Sequence, residues 1–402
     1  MEVCLNEAST KELRFIRLAT AAAFASLFSY AVVFTVTSAS INEVGRYFDA
    51  TPATLGWLFR ALMIGFFGGV LVAGRFSDRY GKLQAIWPGC IAMALGMCLF
   101  ANTSDFRMAL LSTLLMGAGG GASEASAMAL ISDLYAGSRR VAMANWSQAA
   151  FAFGAIACPF AVGWLLKTGI AWQASYFGGA AVCAVSAALT LVVMSTGKEK
   201  VTEVHEEGAD IRKLLSDRLV MLLAISLMLY VGAETGTANW LAVYFKHDLR
   251  SASSLAAWSV AVFWTGITLG RIATGWISKH VADIPFTRWC LIIAAVFQAL
   301  LLLVDGPVPG LAAVFILGVC LGPVYPTLAS CAGAAYPGQS GAALGIVVAS
   351  GSLGGAIFPP TIGLIADHTG MRLAMWISFA VILMNLVALG LLKKRDTARI
   401  SG

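Results

Sequence analysis

The chain has 402 residues, of which 59% are hydrophobic and only 12% charged, with a net charge of +6 and a mean hydropathy of +0.80. Soluble domains carry about 25% charged residues, so these few cannot cover a water-facing surface, and a soluble enzyme or binding domain is excluded. Long unbroken apolar runs such as 291–304 and 375–392 also exclude a β-barrel, whose strands alternate over about ten residues, and leave membrane-spanning helices of roughly 20 residues with every backbone polar group paired internally.

No cleavable signal peptide is expected, because residues 1–16 mix Glu2, Glu7, Lys11, Glu12 and Arg14 and the apolar run behind them is too long for one. Six spans are predicted over 18–40, 53–74, 83–102, 108–134, 142–166 and 171–194. The second ends in a charged turn flanked by glycines, Gly74–Lys82. The fourth carries Gly117–Gly121, whose small residues allow close helix approach, and then Glu124 in mid-span. In the fifth, Asn145 and Gln148 stand three apart and share a face. Residues 195–217 form the one long polar stretch, read as a cytoplasmic linker between a bundle over 1–194 and another over 218–402. Six further spans are predicted over 218–245, 253–278, 288–304, 310–335, 341–365 and 372–392. On a regular seventh helix Glu234 shares a face with Tyr230, Thr237 and Ala238, while Asn239 points about 140° away unless Gly232 or Gly236 breaks the helix. The eleventh span repeats the small-residue pattern at Gly351–Gly355.

Two features organise these spans. Gly74–Arg79 aligns with Gly275–His280, and Gly163–Gly169 aligns with Gly363–Gly370, at offsets of 201 and 200 residues. Matching offsets point to six helices duplicated in parallel, with a solute site between the halves. Of the 27 Lys and Arg residues, Arg60 and Arg271 lie inside spans and Arg46, Arg107, Lys167, Lys246, Arg250 and Arg372 fall on one side. The remaining nineteen, Lys279, Lys394, Arg395 and Arg399 among them, fall on the side of the termini, which makes both termini cytoplasmic. This distribution also accounts for the basic balance without nucleic acid.

Ionisable groups inside spans are costly and face cavities. Glu124 and Glu234 are therefore candidate proton-coupling residues; the alternative is a static hydrogen bond or a pairing with Arg60. Asn145, Gln148, Tyr230, Asn239, Trp240 and Arg60 are the candidate solute-binding residues, since amide hydrogen bonds and aromatic stacking suit a hydroxylated ligand. Trp146, Trp240 and Trp264 could stack against such a ligand, but packing or interfacial anchoring is the favoured reading for them. The eight cysteines contain no CxxC pair and the four histidines lie in loops, so neither a metal site nor a cofactor is expected.

Gly74–Lys82 resembles the loop between helices two and three of the major facilitator superfamily, G-x-L-a-D-R-x-G-R-K, although Leu83 interrupts its basic tail. The resemblance implies an all-α membrane protein of twelve helices in two parallel six-helix halves, with Gly74, Asp78, Arg79, Gly81 and Lys82 as a gating latch. Tyr230–Phe245, Gly351–Asp367 and Glu124 resemble the seventh, eleventh and fourth helices of the fucose–galactose–glucose proton symporter family. The first-helix aspartate of that family has no counterpart, as nothing acidic lies between Arg17 and Glu43. What this implies is secondary active transport of a small polar solute, a sugar or related metabolite, by proton symport with alternating access. The expected setting is the cell inner membrane, as a monomer in the lipid bilayer whose partners are solute and protons. A drug or metabolite exporter is the rival reading, weakened because Cys158 replaces the second glycine of the exporter pattern G-x-x-x-G-P at Gly154–Pro159. A receptor of transporter fold is another rival. No catalytic grouping suggests an enzyme.

Overall fold

A computed structural model describes residues 2–135, 137–197, 211–277, 281–336, 339–393 and 396. Among these, twelve helices are long and apolar enough to cross a membrane. The first six spans are Lys11–Phe48, Pro52–Ser77, Lys82–Asn102, Phe106–Leu134, Ala142–Lys167 and Gln173–Thr196. The last six are Arg218–His247, Ser253–Gly275, Asp283–Leu303, Pro307–Ala334, Ala342–Thr369 and Met371–Gly390. Linker residues 198–210, Lys279, His280, Lys394, Arg395 and Arg399 lie outside the described residues, as does the side chain of Asp78.

Local chemistry sets the ends and breaks. Thr51 accepts from the Thr54 backbone N–H, with Pro52 in the first turn of the second span, where its missing N–H costs nothing. Gly81, at φ 105° and ψ 152°, turns the chain directly from the second span into the third, a conformation that a side chain would strain. The tenth span is broken into Pro307–Leu321 and Val324–Ala334 at Gly322 and Pro323, since proline cannot donate to the helical ladder. The ninth span begins at Asp283, earlier than the sequence suggests, because Arg288 does not end it: its guanidinium reaches the Leu389 carbonyl of the twelfth span.

Close backbone packing repeats between the halves. A Cβ on Gly65 or Gly69 would fall 2.1 Å from the Leu114 or Ala118 carbonyl oxygen, and one on Gly117 or Gly121 would fall 2.1 Å from that of Leu62 or Phe66. The same interlock joins the eighth and tenth spans through Gly266, Gly270, Gly318 and Gly322, each 201 positions after its counterpart. With no room for a side chain, backbone meets backbone, the arrangement by which helices associate in lipid.

Two related seams join the halves. In one, Asp367 Oδ1 accepts from the Ala53 N–H at 3.0 Å, Arg60 Nε donates to the Ala356 carbonyl at 3.2 Å, and a Cβ on Gly56 would lie 2.8 Å from Pro360 Cα. In the other, Trp258 Nε1 donates to the Phe160 carbonyl at 3.2 Å and a Cβ on Gly163 would lie 2.3 Å from that nitrogen. Between the first and seventh spans, Asn42 Nδ2 donates to the Ala242 carbonyl at 2.8 Å, and Glu43, bound to Arg46 at 2.8 Å, stands 3.9 Å from Lys246 Nζ. All these contacts lie toward the end of the bundle away from the chain termini.

Candidate functional site

The polar centre lies where the halves face one another. Glu234 is thirteen residues from the end of the helix Arg218–His247, about 20 Å along its axis. Its Oε1 accepts from the Tyr230 hydroxyl one turn earlier at 2.7 Å, the i, i+4 spacing that brings side chains together on a helix. From the eighth span, Arg271 brings Nη2 to 3.6 Å from the same oxygen. Its Nε is buried without a hydrogen-bond partner among the described residues. Tyr325 of the tenth span packs against Tyr230 with ring centroids 6.3 Å apart.

The first six spans contribute Glu124 and Tyr30. Glu124 is half-buried and lies within electrostatic reach of Arg271, yet it makes no hydrogen bond or ion pair among the described residues. Gly120, one turn before it, has no Cβ because the Tyr30 ring occupies that space at 2.3 Å. Tyr30 stacks on Phe66 at 5.2 Å. Phe34 and Phe151 extend the aromatic surface to Trp264 of the eighth span, at 5.8 and 6.2 Å. Glu124 of the first six spans and the Glu234–Arg271 pair of the last six are thus ionisable groups deep within spans. Desolvation at such depth costs several kcal/mol per ion.

The candidates divide. Glu124, Glu234 and Tyr230 come together. Asn239 does not join them: the helix runs unbroken past Gly232 and Gly236, so Asn239 stays on another face. Trp240 is fully buried, donates from Nε1 to the Pro359 carbonyl at 2.8 Å and meets Phe59 edge-on at 5.5 Å. It is a packing residue. Arg60 pairs with neither glutamate; it caps a carbonyl in the seam and lies 4.5 Å over the exposed Trp57 ring. Gln148 reaches only the Met128 Sδ, at 3.7 Å, Asn145 is exposed with no hydrogen bond among the described residues, and Trp146 is exposed.

At the proposed latch, Lys82 bridges to Asp133 of the fourth span at 3.0 Å, a brace within one half and not a bond across the two. Arg79 is exposed beside the Tyr80 ring at 5.4 Å. A Cβ on Gly74 would meet nothing within 4 Å.

Arg271, Tyr325 and Tyr30 were missed in the sequence. Arg271 was visible as an arginine inside a span, but it lies six residues from the helix end Ile277, where arginine side chains ordinarily reach back to the interface. Tyr325 holds a subtler signal, standing 201 residues after Glu124, the repeat offset itself.

A family model for the Major Facilitator Superfamily matches residues 22–339 and 289–401. A glucose/mannose transporter of Bacillus subtilis is 23% identical over 382 residues, covering 90% of this chain and 93% of its own. A cis,cis-muconate transport protein of Acinetobacter baylyi is 22% identical over 349 residues, 82% of this chain and 83% of that relative. Among solved structures, a bacterial homologue of the human lysosomal transporter Spinster, inward-facing and unoccupied, matches with a TM-score of 0.76 at 15% identity, over 97% of this chain and 98% of that one. The fucose:proton symporter of E. coli matches with a TM-score of 0.65 at 20% identity, over 92% and 97%. These likenesses bear out the twelve-helix fold in two parallel halves.

Proposed function

Since the chain belongs to the Major Facilitator Superfamily, and is thus a multi-pass membrane transporter and not an enzyme, we propose that it is a proton-coupled symporter of a small polar solute, a sugar or related metabolite. The observation that carries this reading is Glu124: a midspan carboxyl with no hydrogen bond or ion pair among the described residues, in the opposite half from a second carboxyl that has a partner in Arg271. Such a group exchanges a proton when the central space opens to water and is neutral when it closes. Two sugar carriers among the relatives and structural neighbours support the solute class, one of them a proton symporter; the muconate carrier extends it toward acids.

Transport proceeds by alternating access, with residues 1–194 rocking against 218–402 about the central cluster. The excess of Lys and Arg on the side of the termini puts that side in the cytoplasm of the inner membrane. The seams then form an outer gate. Solute uptake into proteoliposomes containing the purified protein, with and without an inward proton gradient, tests the reading. Accumulation above the external concentration only with the gradient supports symport; equal levels under both conditions reduce the protein to a facilitator.

A further inference from the structure

We propose that Arg271 is a solute-binding residue whose ligand is a carboxylate, which assigns the solute to hydroxylated organic acids such as sugar acids in preference to neutral sugars. This rests on the transport reading above and narrows its substrate class.

The argument begins with what Arg271 lacks. A guanidinium has five N–H donors in a rigid fork that matches a carboxylate along two parallel bonds. Here Nε is buried with no hydrogen-bond partner among the described residues. Nη2 stands 3.6 Å from Glu234 Oε1, beyond the 2.7–2.9 Å of a charge-assisted bond. That oxygen already accepts from Tyr230 at 2.7 Å, so Glu234 anchors the arginine without saturating it. The side chain is 22% exposed, enough to be reached from the space between the halves.

The surroundings favour an acceptor as the missing ligand. The hydroxyls of Tyr30 and Tyr325 make no hydrogen bond among the described residues, and Tyr325 packs against Tyr230, which bonds Glu234. Glu124 does not fill the role, since no ion pair joins it to Arg271 despite their electrostatic coupling. A sugar hydroxyl could accept one N–H bond from the guanidinium, but a carboxylate accepts two parallel, charge-assisted bonds and can still accept from the tyrosines. The rings of Phe34, Phe151 and Trp264 then offer apolar faces to the carbon skeleton.

The test is equilibrium binding to the purified full-length protein, read as a shift in melting temperature against ligand concentration. The probes are D-gluconate, D-glucuronate and L-lactate, each beside its neutral counterpart D-glucitol, D-glucose or propane-1,2-diol. At least one carboxylate is expected to bind about tenfold or more tightly than its counterpart. Arg271→Gln is expected to weaken it roughly 30-fold or more, the scale of losing a desolvated charge pair, and Arg271→Lys by less. If Arg271→Gln alone fails to fold, the double variant Arg271→Gln with Glu234→Gln removes both charges and is measured instead. Neutral counterparts binding as tightly, no carboxylate binding, or unchanged binding after loss of Arg271 each overturn the assignment. A carboxylate that binds through Arg271 yet is not accumulated by a proton gradient upholds this inference and removes the coupling reading.

Discussion

Gly56 is where the outer seam can be opened by one methyl group. Its Cβ would lie 2.8 Å from Pro360 Cα and 3.4 Å from Pro360 Cβ and O, and the atoms it meets belong to the opposite half. Backbone on a twice-proline helix turn (Pro359 and Pro360) cannot swing aside, so Gly56→Ala overpacks the closed seam at about 1–3 kcal/mol. When the outer ends part, the clash vanishes. The whole cost therefore falls on one side of the conformational equilibrium and shifts it outward by roughly 5–150-fold. Spin labels at Thr168→Cys and Ala252→Cys, at the outer ends of the fifth and eighth spans, report the shift by pulsed electron resonance once the eight native cysteines are replaced. Gly56→Ala should enrich the longer distance. Gly121→Ala is the control: its clash, 2.1 Å from the Phe66 carbonyl, is inside one half and persists in both states, so it lowers the melting temperature without moving the distances. A folded Gly56→Ala protein with an unaltered distance distribution would refute the rocking of one half against the other.

Trp240→Phe should lower thermal stability by about 1–3 kcal/mol, because the buried Pro359 carbonyl loses its donor, while solute affinity stays unchanged; a change in solute preference would return Trp240 to the binding site. Asp78→Asn and Arg79→Ala should slow turnover far more than they weaken equilibrium binding, since the latch acts on conformational exchange; loss of binding in folded protein removes that role. Asp133→Asn, which removes one carboxylate partner of Lys82, should lower the melting temperature and leave the solute dissociation constant unaltered.

The spans were legible because a bilayer permits few alternatives: a run of twenty apolar residues must be a helix there. The duplicated halves were legible from two motif offsets, and the glycine interlocks repeat at the same spacing. The site was legible in part. Glu124 and Glu234 announce themselves, being acids in apolar runs, and Tyr230 follows from helical periodicity. Their partners do not, because which helix faces which is a tertiary fact. Arg60 and Arg271 look alike in sequence, each an arginine inside a span. Packing sends Arg60 to a carbonyl in the seam and Arg271 to Glu234. Trp240 likewise reads as a stacking platform until the Pro359 carbonyl and Phe59 are found against it.

The central role assigned to Glu124 is tested most directly by proton-driven accumulation in proteoliposomes containing Glu124→Gln, with Glu234→Gln measured in parallel. The amide imitates a permanently protonated carboxyl. Glu124→Gln should retain solute binding and counterflow exchange but lose accumulation under a proton gradient. Glu234→Gln, which removes the charge that holds Arg271, should disturb affinity more than coupling. Gradient-driven accumulation that persists in Glu124→Gln and vanishes in Glu234→Gln would contradict the assignment.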